Sequence, residues 1–152
     1  ETAEKYGEEQ VREWRRSYDI LPPALNQNDA RSAVAQSMYR DVNPNELPSS
    51  ESLETTVARV VPYFNKVIKK DMMAGKRVII AAHGNSLRAL VKYFDKLSEE
   101  DIVNVNIPTG VPLVYEFDAQ GNPLHHRYLG DPRLLKQKME AVANQGKKAI
   151  GV

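Results

Sequence analysis

Six consecutive residues, Arg77-Val78-Ile79-Ile80-Ala81-Ala82, show no alternation of apolar and polar positions. That removes many folds from consideration. A strand with one wet face alternates, whereas a strand covered on both faces does not. The run therefore predicts a buried strand of a parallel sheet covered by helices. His83-Gly84-Asn85-Ser86 follows at once, and Leu87, Leu90, Val91 and Phe94 then recur at helical spacing. This order puts a helix amino terminus beyond the carboxyl end of a strand, where ligands of open α/β sheets bind. Unpaired N–H groups at such a terminus favour an anion. Gly84 lets the backbone approach a ligand closely. His83 can donate hydrogen bonds and, if protonated, carry charge. Together these residues describe a phosphate or carboxylate site. Spacing alone leaves a plain strand-to-helix turn with a satisfied histidine equally open.

The flanking chain supplies the other elements. Val11, Trp14 and Tyr18 form one helical face over residues 1–18, with a break at Gly7 and a stop at Pro22-Pro23. Arg12, Arg15 and Arg16 lie on a neighbouring face. Adjacent Arg15 and Arg16 diverge by about 100°, so they would grip different oxygens of a phosphate or carboxylate. A solvated face paired with Glu8, Glu9 or Glu13 is the alternative, and it is favoured for an arbitrary arginine pair. Residues 22–50 lack periodicity and predict a substrate-site loop, with a short helix over Asp29–Met38. Leu53, Val57, Val60, Val61, Phe64, Val67 and Ile68 mark a helix with candidate caps at Ser49 and Ser50, a kink at Pro62 and a stop at Gly75. Ser98 with Asp101 starts another helix. Leu113–Phe117 and Leu124–Leu129 read as a hairpin around Gly121-Asn122-Pro123. Asp131-Pro132 opens a last helix, and 144–152 reads as a mobile tail. His125 and His126 are neighbours on a strand and point to opposite faces, so they do not make one metal site.

Composition narrows the function classes. The 152 residues carry 21 Lys+Arg against 20 Asp+Glu, net charge +1, which disfavours nucleic-acid binding by bulk charge. The chain has no cysteine, which removes thiol nucleophiles and Cys-based metal sites and is compatible with the cytoplasm. No apolar stretch is long enough to cross a bilayer, so no membrane partner is expected. The chain opens on Glu1 rather than Met, within what already reads as helix. This predicts that something upstream was removed or that the chain is one piece of a longer polypeptide.

Ala81-Ala82-His83-Gly84-Asn85-Ser86-Leu87-Arg88 resembles the second histidine motif of the cofactor-dependent phosphoglycerate mutases of the histidine phosphatase superfamily. Glu1-Thr2-Ala3, Gln10-Val11 and Trp14-Arg15-Arg16-Ser17-Tyr18 are similar to the segment before that family's substrate loop. Leu47 to Leu53, Asn106 to Pro112 and Ala141 to Lys147 are similar too, in register nearly end to end. The resemblance implies an α/β fold: a three-layer αβα sandwich with a mostly parallel sheet. It implies interconversion of 3-phosphoglycerate and 2-phosphoglycerate, a glycolytic and gluconeogenic step, through a phosphohistidine and 2,3-bisphosphoglycerate as primer and intermediate. His83 would stabilise the transferring phosphoryl group. Arg15, Arg16, Gly84 and Asn85 would bind the phosphorylated sugar-acid substrate. The scheme needs no metal.

The sequence also departs from the family. The nucleophilic histidine, in Arg-His-Gly, the acid/base glutamate and a substrate-binding lysine are not found, and the histidines are His83, His125 and His126. Ser37-Met38 stands where two arginines are usual. The chain thus resembles the C-terminal part of one mutase domain over 1–152, without the N-terminal strand and nucleophile motif, and is expected to be inactive alone. Candidate partners are a homo-oligomer and an N-terminal fragment of the same protein. A small-molecule histidine phosphatase and a non-catalytic anion-binding fragment are the alternative readings.

Overall fold

In a computed structural model that describes residues 2–145, the chain opens with two short helices, α1 (Thr2–Tyr6) and α2 (Glu8–Arg16). Gly7 separates them with φ of 85°, in the region that glycine enters without a steric penalty. The segment beyond α2 is pinned at its ends. Leu25 N–H donates to Ser49 O at 3.0 Å, and Ser50 Oγ donates to Pro22 O at 2.6 Å. Three 3₁₀ turns, Ala33–Ala35, Ser37–Tyr39 and Pro44–Glu46, replace the single helix expected over Asp29–Met38. Side chains of Asn26, Asp29 and Asn43 each accept the backbone N–H two residues on. Such local bonds compete with helix formation.

α3 (Leu53–Tyr63) begins with a reciprocal capping box between Ser52 and Thr55, not at Ser49 or Ser50. Helix continues through a π-helical turn, Phe64–Ile68, into α4 (Lys69–Met73). The disturbance expected at Pro62 is this widened turn, which begins two residues beyond the proline, a residue that has no N–H to give. The wider winding takes Val67 off the apolar stripe and leaves it exposed, while Phe64 stays buried. Gly75, with φ of 81°, ends the run. α5 (Gly84–Asp95) packs along α3, and α6 (Glu99–Ile102) starts at Ser98, whose Oγ accepts from Asp101 N–H at 3.0 Å. β1 (Leu113–Phe117) and β2 (Pro123–Tyr128) form the expected antiparallel hairpin, with an irregularity at Glu116/Phe117. α7 (Pro132–Ala143) is capped by Asp131. The expected mobile tail falls largely outside the described residues, which end at Gln145.

The architecture is α/β, but the sheet differs from the expectation. Among the described residues, the hairpin is the only sheet, and it is antiparallel. Residues 77–82 form neither helix nor strand, and Ile79 is 93% exposed. Strand propensity is local, but a ladder requires a second backbone at hydrogen-bonding distance, and among the described residues none pairs with this segment. Ile80 alone of these residues packs against the core.

The core consists of two clusters joined through α5. Leu53, Ala89 and Ile102 form one, and Phe64, Leu90 and Phe94 the other. Val60 touches both. The hairpin closes the second cluster with Tyr115 and Phe117, whose rings lie 5.0 and 5.3 Å from that of Phe94. Tyr115 also donates its hydroxyl to Asp95 Oδ2 at 3.1 Å. Burial, and then the Asp95 carboxylate, raises the Tyr115 phenol far above its usual value. The folded state therefore favours the neutral phenol, while the unfolded chain ionises near pH ~10. This contribution to stability is complete below that pH and is lost as pH rises above it. The expected outcome is a steeper fall in melting temperature between roughly pH 9 and 11 for the parent than for Tyr115→Phe. Parallel thermal scans of the two proteins check it, and equal slopes would contradict the assignment.

Candidate functional site

The site is built where the carboxyl end of α2 meets the amino end of α5. His83 is the N-cap of α5, and its Nδ1 accepts from Asn85 N–H at 3.2 Å. A nitrogen that accepts a hydrogen bond carries no proton, so the neutral ring holds its proton on Nε2. His83, Gly84 and Asn85 are all exposed. The N–H of Gly84, first in the helix, has no intrahelical acceptor. A Cβ built on Gly84 meets nothing within 4 Å, and its φ is not positive, so neither packing nor backbone geometry requires glycine there. What glycine leaves is bare backbone beside an imidazole.

Three guanidinium groups converge on this junction. Arg15 donates to the carbonyl of Gln145 and, at 2.8 Å, to its Oε1. Arg16 donates to Val142 O at 3.0 Å and to Val105 O at 3.4 Å. Arg88 is buried and donates to the carbonyls of Arg15, Arg16 and Ile102 and to Asn85 Oδ1. Among the described residues, every one of these acceptors is a carbonyl or amide oxygen, and none is a carboxylate. Burial, then the charges of Arg15 and Arg12, lower the Arg16 pKa. Burial, then Arg16 and Arg15, lower that of Arg88 to about 10. Three like charges partly withdrawn from water, with only neutral dipoles as partners, form a region of positive potential.

The structure thus brings Asn85 to the end of α2 through Arg88, and it engages Arg15 and Arg16 with α7 and the 105 region. Arg12, on the same helix, is exposed, and the bonds of Arg15 lie at the surface. Among the described residues, the side-chain hydrogen bond of His83 is to Asn85 in its own helix. A hollow of about 250 Å³ is lined by residues of the 22–50 segment, Leu25, Ser32, Pro44 and Leu47 among them, and by none of the candidate site residues. His125 and His126 point to opposite faces of β2, as expected. His125 lies 3.4 Å from Glu116, and His126 lies 3.3 Å from Asp95. Sequence reasoning gave Arg88 no role. The available signal was a cation three residues after Asn85 and three before the buried Val91, on the face that helical spacing turns inward. The carbonyls of Val105 and Val142 left no signal, because backbone acceptors carry no residue identity.

Comparisons with known proteins place this geometry. A profile of the histidine phosphatase superfamily (branch 1) matches residues 9–128. A 2,3-bisphosphoglycerate-dependent phosphoglycerate mutase of Treponema denticola is 61% identical over 148 residues, covering 97% of this chain and 60% of the relative. The enzyme of that name from Lachnoclostridium phytofermentans is 61% identical over 150 residues, 99% and 60% of the two chains. That from Borreliella burgdorferi is 57% identical over 147 residues, 97% and 59%. The chain therefore spans about 60% of the length of the curated relatives it matches. The match reaches from α2 across the His83 turn and through the hairpin, stopping short of Val142 and Gln145, and the chain belongs to the histidine phosphatase superfamily (branch 1).

Proposed function

We propose that the chain is the C-terminal part of a phosphoglycerate mutase that interconverts 3-phosphoglycerate and 2-phosphoglycerate through a phosphohistidine and 2,3-bisphosphoglycerate, a cytoplasmic step of glycolysis and gluconeogenesis. The observation that carries this reading is the cluster of Arg15, Arg16 and Arg88, without a carboxylate partner among the described residues, beside the amino end of α5. Phosphoryl transfer asks a protein mainly for positioned positive charge and hydrogen-bond donors. Arg15 and Arg16 exchange carbonyl partners for substrate oxygens, which are stronger acceptors because they are ionised. Gly84 contributes its N–H. Asn85, whose Oδ1 is held by Arg88, keeps its side-chain N–H groups for the ligand. His83 donates Nε2–H to the transferring group. The scheme uses no metal.

The nucleophile comes from a complementing segment that carries Arg-His-Gly. Two observations support such a segment. The apolar residues 77–82 pair with no strand among the described residues, and their sequence suits a place in a parallel sheet of a three-layer sandwich. The chain also exposes 11024 Å², against about 7,700 Å² for a compact monomer of this mass. The pinned segment 22–50 is assigned to the substrate side of the site.

The test mixes this chain with 3-phosphoglycerate and a trace of 2,3-bisphosphoglycerate, alone and with a polypeptide supplying the Arg-His-Gly strand. Isomerisation in the mixture only, without free phosphate, is the expected result. Phosphate release to water would favour a small-molecule phosphatase. Ligand binding without turnover in the mixture would favour a non-catalytic fragment. Acid-labile label on His83 of the chain alone would overturn its role as a stabiliser.

A further inference from the structure

Arg88 is 4% exposed, yet it is charged and, among the described residues, has no carboxylate as a hydrogen-bond partner. A buried cation paired only with neutral oxygens is costly, and removing it in favour of an apolar side chain would relieve that cost. Its geometry shows what it does instead. Nη1 donates to Arg15 O at 3.2 Å and to Asn85 Oδ1 at 3.3 Å. Nη2 donates to Arg16 O at 3.1 Å and to Ile102 O at 2.8 Å. The last carbonyls of a helix lack intrahelical donors, so this planar fork closes the end of α2 while holding the first turn of α5. Among the described residues, the Nε atom of Arg88 is buried without a partner, as are Ser17 Oγ and Asn106 Oδ1, each next in sequence to a residue of the same junction.

We propose that Arg88 is a positioning residue: it fixes the backbone of Arg15 and Arg16 and the side chain of Asn85 in one frame, so that donors from α2 and α5 address a single anionic ligand. The inference rests on the anion-binding reading above and deepens it. Only a guanidinium fits, because its two Nη groups are rigidly coplanar and reach two helices at once, whereas an ammonium is a single point on a flexible stem. A helix end released from this clamp would leave the backbone under Arg15 and Arg16 free to shift against α5, and misplacement by about 1 Å is enough to cost roughly a hundredfold in a reaction that depends on alignment.

The experiment compares the chain with Arg88→Lys by two independent readouts. Titration with 2,3-bisphosphoglycerate should show affinity falling on the order of tenfold or more, while the ligand-free melting curve still reports a folded protein. Side-chain Nε–H NMR signals of Arg15 and Arg16, recorded without ligand, should be resolved in the parent and collapse toward the position of exposed arginines in Arg88→Lys. Unchanged Arg15 and Arg16 signals would overturn the proposal, whatever the ligand does. Failure of the parent to bind bisphosphoglycerate, with the signals still collapsing in the variant, would refute the ligand reading and leave the clamp standing. A variant that fails to fold moves the decision to the parent, where Arg88 should show separate Nη–H signals at low temperature from a guanidinium locked at both ends. A single averaged signal there would overturn the clamp.

Discussion

In the proposed reconstitution with a polypeptide supplying Arg-His-Gly, the His83→Asn protein is expected to turn over roughly 10²- to 10³-fold more slowly than the parent, the usual effect of removing one preorganised donor to a developing anion. Stability should barely change. His83 serves the fold as the exposed N-cap of α5, with Nδ1 accepting from Asn85 N–H. Asparagine is among the best residues for that role, and its side-chain oxygen takes the same bond. What asparagine cannot supply is the second nitrogen, Nε2–H, on the far side of the ring. The substitution thus separates the cap from the donor. Isomerase assays and melting curves on the same preparations check it. A loss of melting temperature in proportion to the loss of turnover would reduce His83 to a structural cap, and undiminished turnover would remove it from the chemistry.

The second large effect concerns the core. Phe64→Ala is expected to destabilise the chain by about 3–5 kcal/mol, the range for emptying a buried aromatic site. Phe64 is 2% exposed, and its ring lies 4.8 Å from Phe94, 6.3 Å from Phe117 and 6.4 Å from Tyr93. It joins α3, α5 and the hairpin, so its loss leaves a cavity that no one element can fill by moving. With about 2–4 °C per kcal/mol for a chain of this size, melting temperature should fall by roughly 6–20 °C. Phe64→Leu, which keeps most of the volume, should lose less than half as much. Thermal or urea unfolding measures both. Equal effects of the two substitutions would show that the aromatic cluster does not carry the core.

Local chemistry was legible wherever a residue acts on its sequence neighbours. Gly7 and Gly75 break helices because positive φ is open to them, and Ser98 and Asp131 start helices because their oxygens reach N–H groups two or three residues on. The hairpin and the opposite orientations of His125 and His126 follow from the period of two. The caps proposed at Ser49 and Ser50 moved to Ser52, since three nearby serines offer the same chemistry and only the packing of Leu53 selects one. The helix over Asp29–Met38 yielded to Asn and Asp side chains that satisfy the backbone first.

The sequence by itself determined the turn at His83-Gly84-Asn85, the helix that follows it, and the chemical character of a donor-rich, anion-favouring end. These depend on residues within a few positions of one another. Tertiary structure alone decided that Arg88 turns inward to join α2 to α5, that Arg15 and Arg16 rest on the carbonyls of Gln145 and Val142, and that residues 77–82 stay unpaired. Each of those outcomes depends on which backbone atoms arrive from elsewhere, and backbone atoms are the same in every residue, so no pattern of side chains announces them.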